Sequence, residues 1–191
     1  MAAIGKVAAE HGYSGLTVER ITSYAGLGRE VFAAHFDSRE QGLLAAQEVF
    51  LERLLWEAGA ACERSVPWPL RLRAGLHAVL GSLVESAALA RVLTVEADTA
   101  GLALAERRLV ALDDFARLMQ SGRDGFPIAA KLPEPTERVL VGGIASLLGQ
   151  RLLREEPTVT PPLELELTEL LLIPYVGQSE ARRIALEPPA A

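Results

Sequence analysis

The residue types that most often carry enzyme chemistry are few and scattered in this chain. It has three histidines and one cysteine among 191 residues, and they do not follow the order or spacing of a nucleophile and its base. Asp113 and Asp114 are adjacent, so their carboxylates point in different directions on a helix. The sequence contains no Gly-rich phosphate loop and no metal-ligand spacing. It therefore predicts no catalytic activity, no cofactor and no bound metal.

The positions that could instead bind phosphate groups lie between Thr17 and Arg39. Arg29 is the first candidate, because it would begin a short helix that faces outward; a solvated surface charge is the alternative. Arg39 stands at the start of a long helix, whose N-terminal dipole also attracts phosphate. Arg20 could reach a DNA backbone or pair with a neighbouring glutamate. Thr17 is placed to cap a helix, and its hydroxyl could also contact a phosphate.

These positions belong to two short helices separated by a glycine. The helix after Thr17 is interrupted at Gly26 after about two turns, and a second helix is expected from about Gly28 to His35. Gly26 suits a sharp turn, because a side chain there would be strained. This arrangement is a helix-turn-helix, which presents its second helix to the major groove of DNA. The residues expected to face inward and hold it together are Ile21, Ala25, Leu27, Val31 and Phe32.

Helical periodicity covers most of the remaining chain, and no segment predicts a convincing strand. A first helix is expected to end at Gly12, and Ser38 with Gln41 forms a capping box that opens a long helix. We expect an all-α fold of about nine helices. The later ones are expected at 70–86, up to about 98 after a bend near 85–88, then 102–120, 135–154 and 163–176. The inward face of 102–120 is expected to contain Leu104, Leu109, Leu112, Phe115, Ala116 and Met119.

The stretch up to about Ala46 resembles the DNA-binding domain of the TetR family of regulators. The matching residues keep their order and spacing; they are Ala8, Gly12, Thr17-Val18, Ile21, Ala25-Gly26-Leu27, Phe32, His35-Phe36 and Ser38-Arg39-Glu40. The resemblance implies a repressor that binds double-stranded operator DNA as a homodimer and is released by a small-molecule effector. It also implies DNA contacts from Thr17, Arg20, Gly28, Arg29, Val31, Ala33, His35 and Arg39.

The resemblance also implies how the chain is divided. Residues 1–46 would form a three-helix DNA-binding domain, 47–185 a larger helical regulatory and dimerisation domain, and 186–191 a flexible tail. The middle helices line the effector cavity in relatives, and such sites combine apolar walls with a few polar groups. The residues expected to line it here are Trp68, His77, Glu96, Asp98 and Met119. For each of them, a place in the core or on the surface is the alternative.

The last two long helices are candidates for the dimer interface. Small residues at Gly142, Gly143 and Gly149 would let two helices approach closely, and Leu170 to Ile173 are apolar without interruption. One face of a monomeric helix does not need such a run. A four-helix interface between two subunits would bury it, while burial within one chain is the alternative.

The charge distribution leaves a second function open. The formal net charge is −6, so only a local basic face could bind DNA. Up to Ala46, however, the chain has four basic and five acidic residues, and Glu30 would place a negative charge near phosphates. The alternative is a TetR-like protein that binds a small molecule or another protein without strong DNA binding.

The cellular location is expected to be the cytoplasm. A single cysteine, Cys62, cannot form an intrachain disulfide, which fits a reducing compartment. No apolar run reaches the roughly 18 uncharged residues that a membrane helix needs, and the N-terminus lacks the pattern of a signal peptide. We therefore expect a soluble protein with no membrane partner.

Overall fold

The computed structural model describes residues 2–62, 67–96, 101–154, 156 and 159–187. These residues form ten α-helices, a π-helical turn and two 3₁₀ turns, and they contain no strand. The all-α fold expected from the sequence is therefore confirmed. In chain order the helices are α1 (Ala2–Gly15), α2 (Val18–Ala25), α3 (Arg29–Ala33), α4 (Arg39–Cys62), α5 (Trp68–Glu85), α6 (Ala87–Arg91), α7 (Leu102–Gln120), α8 (Thr136–Leu153), α9 (Pro161–Val176) and α10 (Gln178–Leu186), with the π turn Val92–Glu96 directly after α6 and the 3₁₀ turns Arg123–Gly125 and Ala129–Lys131 before α8.

Two predicted helix starts are confirmed by their hydrogen bonds. The hydroxyl of Thr17 accepts the backbone N–H of Arg20 at 3.2 Å and so caps α2. The hydroxyl of Ser38 accepts the N–H of Gln41 at 3.1 Å, and the Gln41 side chain accepts the N–H of Asp37 at 2.6 Å. The capping box therefore closes on the residue before Ser38, and it fixes where α4 begins.

The turn between α2 and α3 is the sharp one that the glycine predicts. Gly26 has a φ of 66°, in the left-handed region that favours glycine. Its N–H bonds to the end of α2, so the chain reverses within three residues. α1, α2 and the start of α4 then enclose a small core whose buried residues are Ile4, Val7, Ala8, Leu16, Ile21, Phe32 and Leu43.

Fewer residues face the inside of the helix-turn-helix than the sequence predicted. Ile21 and Phe32 are buried, whereas Ala25, Leu27 and Val31 are exposed, so the prediction was wrong for these three. α2 has about two turns and α3 little more than one. Only a narrow stripe of each therefore reaches α1 and α4, and the remaining side chains face solvent.

The amphipathic helix α7 has its predicted bounds. Leu104, Ala116 and Met119 are buried as expected, but Leu109 is exposed, contrary to prediction. Leu109 lies two residues before the buried Ala111, and two residues turn a helix by about 200°. It therefore points away from the core.

Gly12 does not end the first helix as predicted. The chain turns helically again up to Gly15, with a kink at Gly12, where φ is 66° and ψ is −179°. The expected connector 13–16 is thus mostly the last turn of α1. The kink leaves the backbone N–H of Tyr13 outside the helical hydrogen-bond pattern, and the carboxylate of Glu96 accepts it at 2.8 Å.

The larger, later part of the described chain is built on α4, which packs against both α5 and α7. α5 ends at Glu85, where the sequence predicted a bend, and the chain continues through α6 into the π turn. Within the described residues no single helix is long and apolar enough to cross a membrane. α5 together with 87–96 passes the same length and composition test only as a pair bent by 99°.

A cluster of hydrogen-bonded side chains around a buried carboxylate stabilises the segment between α7 and α8. The carboxylate of Glu137 is fully buried and accepts hydrogen bonds from Arg123 Nε at 2.8 Å and Nη2 at 2.5 Å. The hydroxyl of Tyr175, on α9, donates to the same carboxylate at 2.5 Å. Arg123 also donates to the carbonyls of Leu132 and Pro133, so the cluster holds the 121–135 connection, α8 and α9 together.

The last helix, α10, has no counterpart among the helices expected from the sequence. Gly177, with a φ of 78°, separates it from α9. Its buried residues are Ala181, Ile184 and Ala185, a spacing that is itself helical. Leu186 still belongs to this helix, and residues 188–191 of the expected tail lie outside the described part of the chain.

Candidate DNA-binding surface and effector cavity

The exposed side of α3 forms a continuous surface with the end of α2. Arg29, Val31, Ala33 and His35 are all exposed along it, while Phe32 anchors the helix from behind. None of the described chain covers this surface. A helix held from one side and open on the other is the geometry that a major groove accepts.

The basic residues near this surface are engaged by acidic or carbonyl groups. Arg29 pairs with Glu19 at 3.0 Å, and both side chains are mostly exposed. Backbone hydrogen bonding at the start of α2, followed by the Arg29 charge, lowers the pKa of Glu19. Arg20 donates to the carbonyl of Gly15 at 2.7 Å. The cationic groups are therefore available to phosphate only by exchanging these exposed contacts.

Arg39 is held more firmly than the other arginines of the first domain. Its Nε pairs with Glu40 at 2.7 Å, its Nη1 donates to the carbonyl of Leu16 at 3.0 Å, and its guanidinium lies 4.9 Å from the ring centre of Tyr13. The hydrogen bond from Arg39 is the largest cause that lowers the pKa of Glu40. Arg39 thus ties the start of α4 to the end of α1.

The start of α3 is not capped by a side chain. Gly28 is the N-cap of α3 and offers no hydroxyl. The carboxylate of Glu30 folds back over it, so closely that a side chain at position 28 would collide with it. A carboxylate at a helix N-terminus is favourable for the helix, but it occupies the place where a phosphate would bind.

An apolar cavity of about 220 Å³ lies between α4, α5, α7 and α8. Leu51, Leu54 and Ala58 of α4 form one wall, and Leu72, Leu76, Val79 and Leu83 of α5 form another. Along α5 the lining runs from Trp68 to Leu83, which is about 22 Å at the helical rise per residue. The cavity is therefore elongated and suited to an extended apolar molecule.

Of the residues expected to line this cavity, Trp68 and Met119 do so. His77 is exposed and bonds to Glu164 at 2.7 Å, and Glu96 faces α1, so neither is among the lining residues. Asp98 lies outside the described residues. The side chains of Arg71 and Arg108 line the cavity and were missed. Arg71 lies three residues after Trp68, on the same face of α5, which is the signal that could have found it.

Glu96 connects the π turn with α1. Its Oε2 accepts the N–H of Tyr13, and its Oε1 is 3.2 Å from Nε of Arg91. Thr94, two residues earlier in the same π turn, lines the cavity. The turn thus touches the cavity on one side and α1 on the other.

One face of α8 and α9 remains apolar and exposed. Val139 is 68% exposed, and Leu147, Leu170 and Ile173 are also exposed. A Cβ added at Gly142 or Gly143 would meet nothing within 4 Å in the described chain. Within the described residues, these glycines therefore do not serve a close approach between helices.

Comparison with known proteins agrees with the helix-turn-helix assignment. Residues 1–47 match the family model described as bacterial regulatory proteins, tetR family. The fatty acid degradation regulator FadR from Bacillus halodurans has a similar fold, with a TM-score of 0.75 and 19% identity, over 90% of this chain and 95% of that one. FadR from Bacillus subtilis, solved in complex with stearoyl-CoA, has a TM-score of 0.74 and 17% identity, over 89% of this chain and 94% of that one. A TetR family regulator from Marinobacter aquaeolei has a TM-score of 0.68 and 19% identity, over 91% of this chain and 92% of that one. No match was found among curated proteins.

The fold thus combines an exposed α3, in the part of the chain that matches the tetR family model, with an apolar cavity among the later helices. Its overall fold is similar to that of solved TetR-family regulators. The resemblance seen in the sequence is confirmed, in residues 1–47 by the family model and over nearly the whole chain by the fold.

Proposed function

We propose that the protein is a transcriptional repressor that binds operator DNA as a homodimer and releases it when an apolar effector enters the cavity. The observation that carries this proposal is the exposed α3 surface of a domain that matches the tetR family model. In such an arrangement the two recognition helices of a dimer enter successive major grooves, about 34–36 Å apart.

The DNA contacts that we propose come from the residues named from the sequence. Arg29, Val31, Ala33 and His35 would face the groove or its phosphates from the exposed side of α3. The other contacts would come from the helix starts around it and involve Thr17, Arg20, Gly28 and Arg39. Phosphate contacts from such residues set the position on the duplex, whereas base contacts set the sequence.

The homodimer would form through α8 and α9. The exposed apolar residues of these helices, with glycines that have no neighbour in the described chain, support this assignment. Two copies of the pair would make a four-helix interface and remove that face from water.

The effector would occupy the elongated cavity. Its apolar lining favours a molecule with a long hydrocarbon part, and the similar fold of Bacillus subtilis FadR in complex with stearoyl-CoA supports the same class of ligand. Binding would move the π turn and, through Glu96, shift α1 and the helix-turn-helix. Such coupling requires only that the ligand prefer one of two arrangements.

The proposal is tested by selecting genomic DNA fragments on the purified protein and measuring their affinity over a range of salt concentrations. Specific binding should weaken steeply with salt, because Lys and Arg displace counterions from DNA. Arg29→Ala should reduce the affinity about tenfold. Arg117→Ala, an equal charge change on the exposed side of α7, should change it less than about twofold. If no fragment is retained at low salt, the protein is a ligand-binding relative that does not bind DNA.

A further inference from the structure

The outward side of α3 is defined by the position of Phe32, which is the buried residue of this helix. Successive residues of an α-helix are rotated by about 100°, so Glu30 and Ala34 lie about 160° from Phe32. The N–H of Ala34 bonds to the carbonyl of Glu30 at 3.0 Å, as expected for two positions on one side. Val31, which is 38% exposed, and the exposed Ala33 border this side on its left and right.

The side chains of α3 that can donate hydrogen bonds lie at the edges of this outward side. Arg29 and His35 are each three residues from Phe32, so they lie nearer to the buried side of the helix. Arg29 also pairs with Glu19 of α2 at 3.0 Å. The carboxylate of Glu30 can accept hydrogen bonds but not donate them. The outward side therefore offers a DNA base three apolar side chains and one acceptor.

This chemistry matches one base better than the others. In the major groove guanine presents two acceptors, which are read by donors such as arginine or lysine, whereas thymine presents a 5-methyl group, the apolar feature of the groove. Val31 and Ala34 are three residues apart, which is about 4.5 Å along the helix axis. That distance is close to the roughly 3.4 Å between successive base pairs, so the two side chains would meet neighbouring positions.

We propose that each operator half-site has thymines facing Val31, Ala33 and Ala34, and that the protein recognises them by their 5-methyl groups. This inference rests on the proposed function in that operator DNA is taken to bind at α3. It goes further in assigning the feature of the bases that is read and the residues that read it. Val31 has two methyl groups and reaches furthest, so it is the main determinant of specificity.

The test removes single methyl groups from the DNA. A genomic fragment retained by the purified protein is shortened to the smallest duplex that binds, and each thymine is replaced in turn by uracil. Uracil keeps the base pairing and the hydrogen-bonding groups of thymine and lacks only the 5-methyl group. At the position facing Val31 the replacement should weaken binding about fourfold in one half-site and about fifteenfold in both, as expected for one buried methyl group in each.

Variants of the protein then assign each sensitive position to a side chain. Val31→Ala should bind the thymine duplex about as weakly as the unmodified protein binds the uracil duplex, and uracil should then cost it less than about twofold. Val31→Thr keeps one methyl group and should keep part of the effect. Ala34→Gly should remove the effect at a neighbouring position, and the end of a helix tolerates glycine.

Val49→Ala is the matched control, because it makes the same change at a 53% exposed position of α4. It should keep the full response to uracil, and unchanged far-ultraviolet circular dichroism would show that each variant is folded. Binding that is insensitive to uracil at every position would overturn the assignment, as would a response that neither Val31→Ala nor Ala34→Gly reduces. In both cases DNA is still bound, so the proposed repressor would stand. Retention of no fragment at all would overturn both proposals.

Discussion

The buried carboxylate of Glu137 makes the sharpest prediction about stability. It accepts three hydrogen bonds, two from Arg123 and one from the Tyr175 hydroxyl. Glu137→Ala removes the only anion of the cluster and leaves Arg123, whose side chain is 20% exposed, without its carboxylate partner. Because some solvent still reaches this arginine, we expect the low end of the cost of breaking a buried pair, about 3 kcal/mol.

Two smaller changes should give a graded series. Glu137→Gln keeps an acceptor but turns an N–H group toward a donor, at a cost of about 2 kcal/mol. Tyr175→Phe removes one hydrogen bond while Arg123 continues to satisfy the carboxylate, at about 1 kcal/mol. For a chain of this length the alanine variant should melt about 6–12 °C lower. Urea unfolding at one fixed protein concentration measures the series, since the stability of the proposed homodimer would depend on concentration.

The same cluster makes stability depend on pH. Burial raises the pKa of Glu137, but the hydrogen bonds from Arg123 and Tyr175 outweigh burial and leave it below the usual 4.5. A lowered pKa in the folded state stabilises the protein fully above 4.5, and this contribution is lost as the pH falls through the lowered value. The difference between the wild type and Glu137→Gln should therefore be constant near neutral pH and shrink on acidification below about pH 4.

The exposed Glu134 provides a matched control in the same connection. Glu134→Gln should change the free energy of unfolding by less than about 0.5 kcal/mol. A cost for Glu137→Gln as small as that of the control, or a difference that persists unchanged in acid, would refute the argument that this carboxylate is ionised and essential to the packing.

Two further predictions concern the first domain and its contact with the second. Glu19→Gln should release Arg29 from its ion pair and raise operator affinity about threefold. The slope of log affinity against log salt concentration should become steeper by about one unit, because one more cation reaches a phosphate. Anisotropy titrations would measure both effects, with Glu106→Gln on the exposed side of α7 as the control. Glu96→Ala removes the acceptor of the Tyr13 N–H, so effector binding should stay within about twofold while the ratio of operator affinities without and with effector falls about fivefold; an unchanged ratio would exclude Glu96 from the coupling.

Local signals predicted the first domain well. Thr17, Gly26 and the Ser38–Gln41 pair each act within four residues, so the caps and the turn could be read directly. Which residues of the short helices are buried could not be predicted in this way. Whether Leu27 is inside or outside depends on how α1 and α4 approach it, and the spacing of apolar residues over two turns leaves several faces possible.

The cavity is harder to predict for a related reason. A cavity lining and a packed core use the same apolar residues, and only the distance between helices separates the two. Trp68 and Met119 were identified, but so was His77, which lies on the exposed side of the same helix and bonds to Glu164. Arg71 was not among the residues predicted to line the cavity, because its neighbours in sequence do not show which helix lies across from it.

Gly12 shows most clearly what sequence alone leaves out. The sequence predicted that the first helix ends at this glycine, whereas the structure has a kink there, with the backbone in the left-handed conformation. Its consequence was not predicted, because the N–H that the kink releases from the helix is bound by Glu96, 83 residues further along the chain. A Cβ at Gly12 would lie 3.2 Å from that carboxylate and would also strain the backbone. The glycine therefore does not end the helix; it allows the kink that exposes the Tyr13 N–H to Glu96, and so it links α1 to the π turn.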